Sequence, residues 1–280
     1  MKISKTLHDL KDNIQQWQTE GLRIGFVPTM GHLHAGHIEL VNQAKANCDK
    51  VVVSIFVNPL QFNQSSDLEA YPESHEEDEQ KLIAAKTDCL FFPGSEMMYP
   101  QGQAAITKVC VPEITGELEG EHRPGHFDGV ATVVNKLFNL VQPQMAFFGE
   151  KDYQQLLLVK KMAADLNMPI EICSVPTHRE TDGLAMSSRN SRLSAEQRAK
   201  APALFRVLQQ VSQQLKQGQL VAEIETQAVG QLQQAGFEVE YVSIRDCSTL
   251  KAAHNNQTNR LVLAAAHLGS VRLIDNLKID

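Results

Sequence analysis

The sequence predicts an α/β fold: a doubly wound parallel sheet followed by a smaller C-terminal α+β domain. Three observations carry that prediction. Short apolar runs rich in Val, Ile and Phe alternate with helical segments from Arg23 to Val175, the order that builds βαβ units. The run Val51-Val52-Val53-Ser54-Ile55-Phe56-Val57 is almost wholly apolar, as in a strand covered on both faces. After Pro176 the pattern changes to Gln-rich helices and then to alternating strands.

In chain order, Leu7 to Gln18 sets Leu10, Ile14 and Trp17 near helical spacing, and Gly21 stops it. Arg23 to Val27 is the first strand and His34 to about Asn47 the next helix. Val51 to Val57 is the second strand, ended by Asn58-Pro59. Asp67 to Lys86 reads as an acidic loop and helix, Asp88 to Pro93 as a third strand, and Ala104 to Val111 as an extra extended segment. Val130 to Val141 is a long, mostly apolar helix. Met145 to Gly149 is a strand running into a helix that opens at Glu150, and Glu171 to Val175 is a further strand. The parallel sheet should hold roughly five strands. From Ser194, where Ser194-Ala195-Glu196-Gln197 has the capping-box offset, one long helix is expected to Lys216 and another over Val221 to Gln234. Three strands complete the small domain: Glu238 to Arg245, Arg260 to Ala266 and Val271 to Asn276. The expected domains are 1–176 and 177–280.

Bulk properties narrow the function. A net charge of −7 with no Lys/Arg cluster argues against a nucleic-acid partner. The five cysteines form no C-x-x-C pair and read as reduced, mostly buried residues of a cytoplasmic protein. Met1-Lys2-Ile3-Ser4-Lys5 has no apolar signal core, and no run has the length of a membrane span.

The chain is organised around Phe26-Val27-Pro28-Thr29-Met30-Gly31-His32-Leu33-His34-Ala35-Gly36-His37, a strand, a glycine turn and the start of a helix. His34 and His37, three residues apart, share one helix face. The unsatisfied backbone N–H groups and positive dipole end of such a helix attract phosphate. The plain alternative is an ordinary strand–helix turn with two surface histidines. Zinc-binding helices usually carry histidines four apart with a further ligand, a pattern not evident in this stretch.

Other strand ends and loops add candidates of the same kind. Gln61, just past the second strand, is an amide that can donate and accept, or simply cap its loop. Arg123 and His126 stand in a Gly/Pro loop before a helix, suited to an anion or to solvent. Lys151 lies at a second strand-to-helix turn, a common place for a phosphate-binding lysine. Ser187, Ser188 and Arg189 end a hydroxyl-rich segment that could surround a phosphate chain or form a flexible surface loop. The run Glu76-Glu77-Asp78-Glu79 reads first as a solvated face and second as a source of a magnesium-facing carboxylate.

Taken together, Pro28-Thr29-Met30-Gly31 with His34-x-Gly36-His37, Phe56-Val57-Asn58-Pro59-x-Gln61-Phe62, Tyr71-Pro72 and Arg123-Pro124-Gly125-His126-Phe127 resemble the pantoate–β-alanine ligase family. The resemblance continues through Phe148-Gly149-Glu150-Lys151-Asp152-x-Gln154-Gln155, Asp182 to Asn190 and the tail Arg272-Leu273-Ile274-Asp275-Asn276, over essentially the whole chain. It implies a Rossmann-like ATP- and pantoate-binding catalytic domain and a C-terminal lid domain. The implied reaction has two steps: pantoate and ATP give pantoyl adenylate and pyrophosphate, and β-alanine then displaces AMP to give pantothenate.

The resemblance also implies site roles. His34, His37, Lys151 and Arg189 would be catalytic, with a proton-transfer role for His37. ATP would be held by Met30, Gly31, His32, Leu33, His34, Ala35, Gly36 and His37, then by Gly149, Glu150, Lys151 and Asp152, and finally by His178, Met186, Ser187, Ser188 and Arg189. Gln61, Gln155 and Arg123 would bind substrate, and Asp78 the ATP-associated Mg2+. A homodimer without nucleic-acid or membrane partners is implied as well. The chain departs from the family pattern at Glu73, usually arginine, and at His178, usually aliphatic. Two other classes fit parts of the pattern: an adenylyltransferase that keeps AMP on its product, and a nucleotide-sensing binding protein.

Overall fold

A computed structural model of the chain describes residues 1–63, 68–69, 71–72, 74–255 and 257–279, so Glu73 and the start of the expected acidic segment at Asp67 lie outside the described residues. The chain divides into two units, Met1–Glu150 with Gln155–Pro176, and Lys151–Gln154 with Thr177–Asp280.

The first unit is built on a six-stranded parallel sheet in the order β1-β4-β3-β2-β5-β6. Its strands are β1 Lys2–Ser4, β2 Ile24–Thr29, β3 Lys50–Ile55, β4 Cys89–Phe91, β5 Met145–Gly149 and β6 Glu171–Val175. Its main helices are α1 Leu7–Thr19, α2 Ala35–Asn47, α3 His75–Ala84 and α4 His126–Val141. A fifth, α5 Tyr153–Asp165, begins in the residues grouped with the second unit. Five of the strands follow the hydrophobic pattern. The sixth, β1, is three residues long and carries no periodic signal; it forms because Lys2, Ile3 and Ser4 pair with Cys89, Leu90 and Phe91 at the sheet edge. The extended segment expected over Ala104 to Val111 is not a strand: a 3-10 turn occupies Gln103–Ala105.

Local chemistry explains the element ends. Thr6 and Asp9 form a capping box at the start of α1, which buries Leu10, Ile14 and Trp17. Helix α4 begins four residues before the expected Val130, because Gly125 turns the chain at φ +80. It then approaches the 3-10 turn Pro59–Gln61 so closely that a Cβ on Gly129 would collide with the Leu60 carbonyl. One sheet face packs α2 through Leu40, Val41 and Ala44 against Val51, Val53, Ile55 and Phe147. Burying such side chains stabilises by about 1.5–3 kcal/mol each.

Connections run outward from β2 to β3 and β4 on one side and resume at β5 and β6 on the other. The reversal therefore lies between β2 and β5, the position where such sheets open a ligand crevice at the strand carboxyl ends. Register between these strands is limited to Gly25↔Met145 and Phe26↔Ala146, both at their amino-terminal ends.

In the second unit, β7 Glu238–Asp246, β8 Arg260–Leu268 and β9 Val271–Ile279 form an antiparallel sheet. Helices α7 Ala203–Lys216 and α8 Val221–Gln234 pack on it. Leu204, Leu208, Val211, Ile224 and Leu232 meet Val262, Ala264, Ala266 and Leu273 in one core. The long helix expected from Ser194 is two: α6 Ala195–Lys200, opened by the Ser194–Gln197 capping box, and α7. Pro202 lacks an N–H and cannot continue α6. The cysteines are less buried than expected: Cys89 and Cys247 are buried, Cys48 and Cys173 half-buried, and Cys110 exposed. Desolvation still pushes the Cys173 thiol up to about 11. Among the described residues, no helix is long and apolar enough to cross a membrane.

Candidate active site

In the first unit the loop after β2 is shaped by one buried carboxylate. Gly31 adopts φ +85 and His32 φ +49, which turns consecutive amides inward. Asp78 on α3, fully buried, accepts from His32 N–H and Leu33 N–H at 2.7 Å each through its two oxygens. Lys81, one helical turn on, donates to the Leu33 carbonyl at 2.8 Å. A Cβ at Gly31 would crowd the turn, 3.2 Å from Ile55 and 3.3 Å from Asp78, in addition to the strain of its positive φ. This is a different task from the magnesium contact expected of Asp78: its oxygens hold the loop.

The loop delivers His34 to the N-cap of α2, and the two histidines cap the helix for each other. His34 Nδ1 accepts from Gly36 N–H, and His37 Nδ1 accepts from His34 N–H, both at 3.2 Å. Their rings lie 4.0 Å apart. The Gly36 and His34 amides are thus occupied by imidazole, which corrects the expectation of open amides at this helix start. A neutral ring that accepts at Nδ1 carries its proton on Nε2. When neutral, both rings therefore carry their hydrogen on Nε2, and the helix dipole adds positive potential there.

Gln61 is buried and its amide orientation is fixed by a chain of partners. Asn58 Oδ1 accepts from Leu60 N–H at 3.3 Å, and Asn58 Nδ2 donates to the Gly129 carbonyl at 3.1 Å; backbone groups cannot exchange these roles. Nδ2 therefore also donates to Gln61 Oε1 at 3.0 Å, which leaves the Gln61 NH2 as its donor end, 3.0 Å from Met30 Sδ. Tyr99, whose phenol burial pushes well above its usual range, donates to Asn58 Oδ1 at 2.6 Å. Arg123 and His126 converge on the same turn. His126 Nδ1 donates to the Gln61 carbonyl at 2.8 Å, Arg123 donates to it at 3.3 Å, and Arg123 donates to His126 Nε2 at 3.1 Å. Glu119 stands 3.8 Å from the guanidinium. Arg123, expected to contact substrate, is placed as a brace of the Gln61 backbone. Asn58 and Tyr99 were missed in the sequence reading. An Asn followed by Pro looks like a strand stop, and the Tyr99 side chain comes from 41 residues away.

The second unit supplies further candidates. Lys151 sits in the 3-10 turn Glu150–Asp152, its side chain largely buried and its ammonium 3.9 Å from Asp152. The segment 178–190 is ordered by hydrogen bonds and is not the flexible loop of the alternative reading. Met186 N–H donates to the His178 carbonyl at 2.9 Å and Glu180 N–H to the Leu184 carbonyl at 2.8 Å, closing a hairpin turned by Gly183 at φ +93. A Cβ on Gly183 would lie 2.8 Å from Phe205. Ser187 Oγ accepts from Arg189 N–H at 3.2 Å and caps the turn Ser188–Arg192. The carbonyl of His178, a residue expected among the ATP contacts, accepts that Met186 bond.

A sequence model described as pantoate-beta-alanine ligase matches residues 2–278. The chain belongs to that family. It is 52% identical over 282 residues to a pantothenate synthetase of Ectopseudomonas mendocina (strain ymp), covering 100% of this chain and 99% of the other. It is 50% identical over 280 residues to that of Shewanella sp. (strain ANA-3), covering 100% of both chains. The pantothenate synthetase structure from Thermus thermophilus superposes with a TM-score of 0.93 at 45% identity, covering 99% of each chain. The pantoate-beta-alanine ligase of Francisella tularensis, solved with beta-gamma ATP and beta-alanine, gives 0.85 at 34% identity over 99% of this chain and 97% of that one. These matches agree with the family expected from the motifs, and with a parallel sheet unit followed by a small antiparallel one.

Proposed function

We infer that this protein joins pantoate to β-alanine, converting ATP to AMP and pyrophosphate through a pantoyl adenylate. The observation that carries the reading is the mutual capping of His34 and His37 at the carboxyl end of β2, which sets both imidazoles beside the sheet's reversal point. Full-length relatedness to pantothenate synthetases and the Francisella ligase bound to a nucleotide and β-alanine support it.

The first step needs little covalent help from the protein. A pantoate carboxylate is ionised at neutral pH and attacks the α-phosphorus while the bond to the β-phosphate oxygen breaks. Catalysis then rests on positioning and on neutralising the charge that grows on phosphoryl oxygens. His34 and His37 donate through Nε2, and Lys151 and Arg189 add full positive charge. The Gln61 NH2 donates to an oxygen of pantoate, since its own carbonyl is taken by Asn58. In the second step the neutral amine of β-alanine attacks the acyl carbon, the bond from that carbon to the AMP oxygen breaks, and the proton shed by the amine passes to the departing phosphate or to water. His37 accepts at Nδ1 from His34 N–H, so the proton-transfer role that the resemblance implies for it falls to Nε2.

Residues 30–37 and 149–152, with His178 and 186–189, are assigned to ATP, and Gln155 to pantoate. Magnesium would enter with the triphosphate. Asp78 does not fit as its ligand, and among the described residues no three His, Cys, Asp or Glu side chains form a metal site. A cytoplasmic homodimer is proposed on the family resemblance.

The test is isotope exchange between pyrophosphate and ATP. Exchange should require pantoate, and AMP release should require β-alanine. A stable adenylylated product formed without amine would instead mark an adenylyltransferase.

A further inference from the structure

The tail Arg272-Leu273-Ile274-Asp275-Asn276 contains an anomaly. Asp275 and Asn276 place two buried polar side chains, 3% and 6% exposed, in a strand whose neighbours Leu273 and Ile279 are core. Such groups are destabilising unless fully partnered. Asp275 is gripped at both oxygens by Arg179, at 2.7 and 2.9 Å, and also accepts from Asn276 N–H at 2.7 Å. Arg179 in turn donates to the carbonyls of Gly183 at 3.1 Å and Asn276 at 3.2 Å, and its guanidinium stacks 3.6 Å from the Phe205 ring centre. That network fixes the backbone from which the Asn276 side chain projects.

Asn276 Nδ2 donates to the Lys151 carbonyl at 2.9 Å, a bond spanning 125 residues. A carbonyl can only accept, so the amide orientation is not in question. Two residues on, Tyr153 donates its hydroxyl to the Cys247 carbonyl at 3.1 Å, and the Lys278 ammonium lies 5.5 Å from the Tyr153 ring. The four residues Lys151–Gln154 group with the second unit although only Glu150 separates them from β5.

We propose that Asn276, aligned by the Arg179–Asp275 pair, is a positioning residue that aims Lys151 for adenylate formation. The proposal rests on the assignment of Lys151 to the triphosphate. A lysine side chain carries four rotatable bonds, so its ammonium is placed accurately only if its backbone is held. Misplacement by about 1 Å can cost about a hundredfold in rate.

The experiment is a double-mutant cycle read by pantoate-dependent exchange, with enzyme concentrated enough to follow Lys151→Ala. Asn276→Ala, and Asn276→Asp, which keeps the size and removes the donor, should each lower the exchange rate at saturating ATP at least tenfold. The KM for β-alanine should stay within twofold. In the Lys151→Ala background the same changes should have no further effect, because the group they aim is gone. An equal loss in both backgrounds, a loss below twofold, or failure of both Asn276 variants to fold would overturn the proposal. Full exchange by Lys151→Ala would instead remove Lys151 from the chemistry and take the inference down with it.

Discussion

The two units hold their candidate groups by the same device, built from different materials. In the first, a charged residue near in sequence does the work: Asp78 lies 45–46 residues from the loop it clamps and accepts two amides at 2.7 Å. In the second, a neutral one far away does it: Asn276 gives the Lys151 turn a single bond across 125 residues. Hydrogen bonds to an ionised group are worth about twice as much as neutral ones. The difference teaches that the histidine loop is braced as part of the core, whereas the lysine turn is only aimed.

The largest effects should come from the aimed groups themselves. His37→Ala and Lys151→Ala should each reduce pantoate-dependent exchange by about 10²–10³ with the fold intact, as expected for losing one donor to a developing oxyanion. Near-normal exchange by either would remove that residue from the mechanism. The braces should separate next. Asp78→Ala leaves two amides unpartnered, at on the order of 1–3 kcal/mol each, and thermal unfolding should show it. Asn276→Ala should lose only about 0.5–1.5 kcal/mol while still crippling exchange. Equal losses of stability would erase the contrast between the units.

A smaller effect tests the Gln61 chain. Tyr99→Phe deletes one hydrogen bond to Asn58 and should raise the pantoate KM several-fold, by about 1 kcal/mol, with kcat little changed. The smallest concerns the surface pair of the second unit. The Arg198 guanidinium, 2.6 Å away, holds the Asp182 carboxyl below its ordinary value of 3.8. A lowered acid stabilises the fold above that ordinary value, and the contribution disappears as pH falls through the lowered one. Solvent screening limits the pair to about 0.2–1 kcal/mol, so Asp182→Asn should lower the melting temperature slightly at pH 7 and not at all in strong acid.

The sheet and the histidine turn were legible because each is written in contiguous residues. The Val51 to Val57 run states a strand, and glycine followed by spaced histidines states a turn entering a helix. What could not be read was every brace. Asp78 sits in an acidic run that looks like a solvated face, and only the fold shows that it alone of Glu76, Glu77, Asp78 and Glu79 is buried. Arg123 looked like a surface cation, and its partner proved to be a backbone carbonyl 62 residues earlier. The attachment of Lys151–Gln154 to the second unit was equally hidden, since it depends on Asn276 and Cys247. The Asp275-Asn276 pair did leave a trace, two polar residues interrupting an apolar strand.

On the proposed assignment of Gln61 to pantoate, the direction of its amide sets a polarity rule for inhibitor chemistry. Because Asn58 donates to the oxygen and so fixes which end is the NH2, a compound approaching that end meets hydrogens. Lone pairs from a carboxylate, ether or sulfonyl will be welcomed there, and an analogue that brings an amine or a hydroxyl hydrogen to the same spot will be turned away, however well its carbon skeleton fits.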